Sequence, residues 1–497
     1  LKDFCLGLKN IDVVIIELIV RLEFIENACD KVVKSKRWKS MAEFPIGIWL
    51  ITSCILFIFS SLKHFLLGSS AWDLGIFEQF SWLISNGDIN GISSLRGITP
   101  LQDHFSLLLL PIGIIYKLLP STYTLLGLQS ASLGAIPAIS SYLCEKYGIP
   151  KKLRISLTIA TAFSPIIFLV NIANFHPEVL VTPFMLLALV YIREGRYIRL
   201  FLLLFISLFA KKSQCLFGAG LAIYSFFIER KRVAFIIMLI SIGWWFLAAS
   251  FSSAGGDYIQ SRLGYLGSEN IAIINSLLFT PWKIFEEAPP DTILLYIIGL
   301  ILPFSALINK KSLPAMYGTI PFFFINLISN TGTQRELYSQ YSIGILPFII
   351  VACIDCLKSD FRHNSSNLLR AYYLTIILTI VAFIGYSRIG YYQHRYFPRW
   401  NAALEFNRIK QLIPSDSSVL TSDHHAAHFS ARKLIHNIED SNYNPLTQYD
   451  YLVFPILNPN ENRFDEMNSI IDSIPDEQKE CVSNLKYFRV CSIYENQ

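Results

Sequence analysis

Asp73 and Asp103 each stand where a very apolar run begins or ends. Partial desolvation at such a border raises carboxylate basicity, the property a general base needs. Their plainer readings are structural, with Asp73 capping an amphipathic helix over 73–85 and Asp103 capping a helix from 105. His104 adjoins Asp103 and has the chemistry to share a phosphate or a divalent metal with it, although one Asp-His pair is a weak metal signal. His176 and Glu178 occupy a tight turn, Asn174 to Glu178, in which Pro177 suits the first position of the next helix. Lys211 and Lys212 interrupt an apolar hairpin from Leu200 to Tyr224. Snorkelling accounts for one lysine, while a pair in so short a connection fits an anion such as phosphate. Arg335 and Tyr341 form a further polar group, whose bland reading is an outer-loop charge. In the tail, His424 and His428 have the i, i+4 spacing of helical metal ligands but lack the glutamate of the hydrolytic motif. Cys353 and Cys356 read as packing residues, and a disulfide between Cys481 and Cys491 is left open.

The elements that must position these groups follow from composition. Of 497 residues, 53% are hydrophobic and 16% charged, more apolar side chain than a water-soluble core of this size can hide. The chain is therefore expected to cross a membrane many times. A net charge of +5 gives no sign of nucleic-acid binding. Residues 1–43 precede the first span and hold an amphipathic stretch, Ile11 to Val20, followed by a basic cluster around Lys31 to Lys39. The positive-inside rule keeps that cluster in the cytoplasm and places the first outer loop, 68–120, outside. Within that loop, 105–119 is expected to lie at the surface as a juxtamembrane or re-entrant helix. Alternating basic loops then give about eleven crossings over 44–387, at roughly 17–25 residues each. Residues 388–497 are more polar and alternate in short apolar runs, as in a small soluble α/β domain on the outer side. The fold expected is thus an all-α polytopic membrane protein with that domain appended.

Several segments together carry a resemblance: Trp72 to Gln79, Asp103-His104-Phe105-Ser106, Leu128-Gln129, Phe175-His176-Pro177-Glu178, and Gln340-Tyr341 ahead of Leu346-Pro347-Phe348. In this order they resemble the bacterial membrane-protein family called domain of unknown function 2079, over about residues 70 to 400. That family in turn resembles the C-class (GT-C) glycosyltransferases, multi-spanning enzymes that use polyprenyl-phosphate sugars and carry an acidic residue in a large first outer loop. One departure is visible. Where the family usually reads Lys-Glu-Asp, this chain has Lys211-Lys212-Ser213.

The resemblance implies a glycosyltransferase of the inner (plasma) membrane that acts on its outer face with inversion. Asp73 or Asp103 would be the base toward the acceptor, and Lys211, Arg335 and His176 would hold the donor phosphate. His104, Glu178 and Tyr341 complete the expected substrate-binding set. The expected partners are a polyprenyl-phosphate-linked sugar, the bilayer, and a glycan, lipid or protein acceptor; no cofactor is implied beyond an optional divalent metal. Two other functions fit the same residues: a transporter or flippase for lipid-linked glycans, and a non-catalytic envelope scaffold.

Overall fold

The computed structural model describes residues 45–252, 260–360, 365–439, 448–456 and 464–494. The N-terminal segment 1–43, with its expected surface helix and basic cluster, lies outside the described residues. Six helical stretches among those described are long and apolar enough to cross a membrane: Ile46–Phe65, Lys151–Ala173, Lys231–Phe251, Pro290–Leu307, Gly332–Lys358 and Leu368–Leu412. Shorter apolar helices, including Thr182–Arg193 and Tyr197–Leu208, pack among them. Proline divides several of these stretches, because it lacks an amide proton and favours a helix start. Pro165 opens the second half of Lys151–Ala173, and Pro177 opens the short helix Pro177–Leu180.

The arrangement follows from where apolar surface goes. Ile46–Phe65 leaves Ile51 and Ile58 more than half exposed, whereas Phe348, Ile349 and Ala352 in Leu346–Asp360 are fully buried. In a bilayer, exposed aliphatic faces meet lipid and cost nothing. The protein is a polytopic membrane protein. Polar side chains inside it are matched to one another and to backbone carbonyls, as hydrocarbon surroundings require. Asn171 donates to the Leu56 carbonyl (2.7 Å) and accepts from Ser130 (2.9 Å).

Between the first span and Thr122–Lys146 runs the expected outer loop. It contains a π-helical turn, Ala71–Gly75, which leads into Ile76–Ser85, then the short helices Pro100–His104 and Leu109–Leu118. Ten residues rise about 15 Å, so Leu109–Leu118 is too short to cross. Two expected caps are corrected here. Ser70, not Asp73, accepts from the first turn, and Thr99 caps Pro100–His104 so that Asp103 lies inside that helix. Phe105 ends it in the left-handed region at φ 52, an uncommon state for a bulky residue.

After Tyr386 the chain continues through helices Ile389–Tyr396 and Trp400–Leu412 to a five-stranded sheet, order β2-β1-β3-β5-β4. The strands are β1 Val419–Thr421, β2 Ile435–Asn437, β3 Tyr451–Pro455, β4 Lys479–Cys481 and β5 Phe488–Ile493. β1 is parallel to both neighbours, and β5 is antiparallel to both of its own. The helix Phe464–Ser473 covers one face, burying Met467 and Ile471 against Leu420, Leu452 and Phe454. A disulfide joins Cys481 to Cys491, which face each other across β4 and β5.

The sheet unit is seated on the outer loop through buried polar bonds. Glu78 accepts from Tyr116 (2.9 Å), Thr122 (2.8 Å) and Ser430 (2.6 Å). Gln79 donates to the Arg432 carbonyl (3.0 Å) and accepts from Ser93 (2.6 Å). Gly75 leaves room for this packing: a Cβ there would lie 3.3 Å from Leu95 and 3.5 Å from the Ala427 backbone. The tail histidines serve the same seam and do not converge on a common centre. His424 Nδ1 lies 3.0 Å from the Ser69 carbonyl, and His428 stacks on His64 with ring centroids 3.9 Å apart. Cys353 and Cys356 are buried within Leu346–Asp360.

Candidate active site

A cavity of about 580 Å³ opens between the outer loop and the helix ends beneath it. Asp73, Asp103, His104, His176, Glu178, Lys211 and Tyr341 all line it. Arg335 stands apart. Its guanidinium is buried and donates to the backbone carbonyls of Asn326 (3.4 Å), Ser329 and Glu287 (2.6 Å), so it braces a loop end. The phosphate contact expected of Arg335 is replaced by a structural role. Arg96, Lys212 and Arg262 are the cations that join Lys211 in the lining.

The two carboxylates differ in their surroundings. In the π-helical turn, Gly75 N–H bonds the Ser70 carbonyl, and the extra residue turns Asp73 toward the cavity while Leu74 and Gly75 stay buried. Its side chain is 40% exposed. Asn174 Nδ2 donates to Asp73 Oδ2 (3.1 Å), and His176 Nε2 lies 4.0 Å from Asp73 Oδ1. Asp103 is almost fully buried and ion-paired with Arg96 (Nε at 3.2 Å), and His104 Nε2 lies 3.4 Å from its other oxygen. Burial, aided by Lys211, Lys212 and Arg96, holds the His104 imidazole well below its ordinary value, so the ring is neutral at neutral pH. Asp103 is thus engaged by a guanidinium, whereas the more exposed Asp73 is open to the cavity.

The wall adjoining Asp73 is built on the turn at 174–178. Gln129 supports it from the neighbouring helix, donating to the Asn174 carbonyl (2.7 Å) and accepting from the His176 amide (2.9 Å). Pro177 then starts a helix, which aims Glu178 inward to meet Lys211 at 3.1 Å. Burial works against both charges of this pair and their mutual attraction outweighs it. Lys211 is held above its ordinary value, chiefly by Glu178, and Glu178 below its own, chiefly by Lys211. His176 is kept below its usual value by burial, although Asp73 and Glu178 pull the other way. Lys212 Nζ donates to Ser252 (2.9 Å), and Arg262 donates to the Tyr341 hydroxyl (3.3 Å) while lying over the Tyr341 ring.

The cavity therefore holds an accessible carboxylate together with Arg96, Lys211, Lys212 and Arg262, of which Arg96 pairs with Asp103 and Lys211 with Glu178. Such a cleft can take a proton on one side and stabilise an anionic leaving group on the other. Among the described residues no group of three or more His, Cys, Asp and Glu side chains is arranged to hold a metal ion.

Sequence comparison reveals the relation. The family described as predicted membrane protein (DUF2079) matches residues 63–479. The chain belongs to that family. No curated protein matches it. Among solved structures, the DUF2079 chain is similar in fold to ArnT from Cupriavidus metallidurans bound to undecaprenyl phosphate, with TM-score 0.55 and 11% identity over 91% of this chain and 99% of that one. The apo state of ArnT aligns with TM-score 0.50 and 11% identity over 89% and 99% of the two chains. The arabinofuranosyltransferase AftD from Mycobacteria aligns more loosely, at TM-score 0.44 and 12% identity over 93% of this chain and 40% of AftD. On the DUF2079 chain, Trp72 to Gln79 combines two duties: Asp73 faces the cavity, while Glu78 and Gln79 fasten the sheet unit.

Proposed function

We propose that this protein is an inverting membrane glycosyltransferase that moves a sugar from a polyprenyl-phosphate donor to an acceptor hydroxyl at the outer face of the inner membrane. The observation that carries the reading is that Asp73 shares one cavity with Lys211, Lys212 and Arg262, in a fold like that of ArnT bound to undecaprenyl phosphate. A sugar phosphodiester is an anion, and its leaving group gains charge as the glycosidic bond breaks. Lys211, Lys212 and Arg262 answer that charge.

In this mechanism the donor phosphate sits against the lysines with its prenyl tail in the bilayer. The acceptor oxygen approaches the anomeric carbon from the side of Asp73, opposite the leaving phosphate. A new C–O bond forms as the bond to the phosphate oxygen breaks; the acceptor proton passes to Asp73, and polyprenyl phosphate departs with the bonding electron pair. Asn174 orients the Asp73 carboxylate, and the Arg96-held Asp103 keeps the outer loop folded over the site.

Kinetics of two isosteric variants test this division of labour. Asp73→Asn removes the base without its bulk and lowers kcat by about 10²–10⁴-fold. Asp103→Asn weakens the Arg96 pair and costs about tenfold or less. Transfer that survives both substitutions unchanged overturns the proposal.

A further inference from the structure

The π-helical turn that bears Asp73 is held from the far end of the chain. The first amides of a helix have no partner within it and must find one elsewhere. Trp72 N–H is taken locally by the Ser70 hydroxyl (3.1 Å). Ala71 N–H is taken by Asp423 Oδ1 (2.9 Å), and the same oxygen accepts from the Ser70 hydroxyl (3.1 Å). Asp423 comes from the short helix Asp423–Ala426 directly after β1, more than 350 positions along the chain. Its neighbour His424 contacts the Ser69 carbonyl, and Ala427 closes against Gly75 at the other end of the turn. A second path reaches Asp73 itself: Ser70 N–H donates to Asn174 Oδ1 (3.3 Å), and Asn174 Nδ2 donates to Asp73 Oδ2. Asp423, Ser70, Asn174 and Asp73 thus form one continuous chain of hydrogen bonds.

From this geometry we infer that Asp423 is a positioning residue, through which the C-terminal sheet unit fixes the π-helical turn and thereby the direction of the Asp73 carboxylate. The alternative source of rigidity, the covalent chain, is weak here. A π turn is a less stable local geometry than the α-helix it interrupts and persists where its surroundings enforce it. The carboxylate of Asp423 enforces it with two charge-assisted bonds in a largely buried setting. The sheet unit is accordingly part of the site and not an appendage to it. The kinetic part of the inference rests on the reading of Asp73 as the base, and the structural part does not.

The full-length protein in detergent, with hydrogen exchange over 69–76 and kinetics on whichever undecaprenyl-phosphate sugar of a glucose, galactose, mannose and arabinose panel the wild type consumes, separates the two. Asp423→Ala is expected to speed exchange of the Ala71 amide at least tenfold and to lower kcat by about 10²-fold with donor KM unchanged. Asp423→Asn keeps an acceptor oxygen for Ala71 and Ser70 and restores both readouts to near the wild type. Ser430→Ala breaks a bond of the same seam away from the turn, and leaves exchange at 69–76 unaltered. Should Asp423→Ala unfold the sheet unit, Ser70→Ala repeats the test from the loop side. Unchanged exchange at 69–76 in Asp423→Ala, or a Ser430→Ala effect there of equal size, overturns the inference. Loosened exchange combined with full activity in Asp73→Asn instead sinks the proposed function while leaving the positioning of the turn intact.

Discussion

Lys211 and Glu178 form a buried ion pair in the wall of the cavity, 3.1 Å apart. Removing one partner of such a pair strands the other, at a cost of about 3–5 kcal/mol. Glu178→Gln is therefore expected to lower thermal stability by that amount at neutral pH. The sign of the pH dependence follows from the two shifts. Glu178 lies below its usual 4.5, so its contribution is complete above that pH and is lost as pH falls through the folded value. Lys211 lies above its usual 10.5, so its contribution is complete below that pH and is lost as pH rises further. Melting of the wild type and Glu178→Gln between pH 3 and pH 9 checks this: the gap should be constant above the usual glutamate value and should shrink below it. At this scale a charge beside an apolar run has few reasons to be there, and that pattern singled out Asp73, His176 and Lys211, which line one cavity. The same pattern singled out Arg335, which lies outside that lining and bonds backbone carbonyls. A cation at a helix border reads the same whether it faces a ligand or a set of carbonyls, and only three dimensions distinguish them. Arg96 and Arg262 were missed for the converse reason, since arginine in a polar loop carries no signal of its own.

Among elements, the outer loop matters most. The apolar period of residues 73–85 pointed to a helix, which Ile76–Ser85 is, but nothing in composition marks a π turn at its start. Nor did the local pattern foretell the partners of Glu78. Its carboxylate takes hydrogen bonds from Tyr116, Thr122 and Ser430, uniting the loop, the helix Thr122–Lys146 and the sheet unit. Glu78→Ala takes the acceptor from the buried Tyr116 and Thr122 hydroxyls, at about 1–3 kcal/mol each, and leaves Ser430 the Ala427 carbonyl. The variant should unfold or lose its hold on the sheet unit, seen as limited proteolysis between Tyr386 and Val419 at protease levels that spare the wild type. Intact resistance to cleavage would show that the seam is held by other contacts. Gln129 has the same character in the helix below, where one side-chain amide secures the turn that carries His176. Such residues are legible as unusual in a hydrophobic setting, but their role depends on backbone far away in sequence.

For the whole molecule, composition alone led to a polytopic membrane protein, and short alternating runs led to strands near 418–421 and 449–454, where β1 and β3 lie. Those features are local, set by hydropathy and by the period of apolar residues. The union of the sheet unit with the first outer loop is not local and had no trace in either segment. It turns two regions more than 300 residues apart into a single working surface, with the cavity beneath it. A transporter would instead need polar groups along a path through the bilayer. In this fold the ionisable residues of the cavity gather around the outer loop and its adjoining turns. The most direct measurement uses sealed right-side-out membrane vesicles carrying the protein or its Asp73→Asn variant, supplied with a panel of undecaprenyl-phosphate-linked sugars. The wild type should release undecaprenyl phosphate from at least one donor at 10²-fold or more the rate of the variant; equal rates from the two would contradict the assignment.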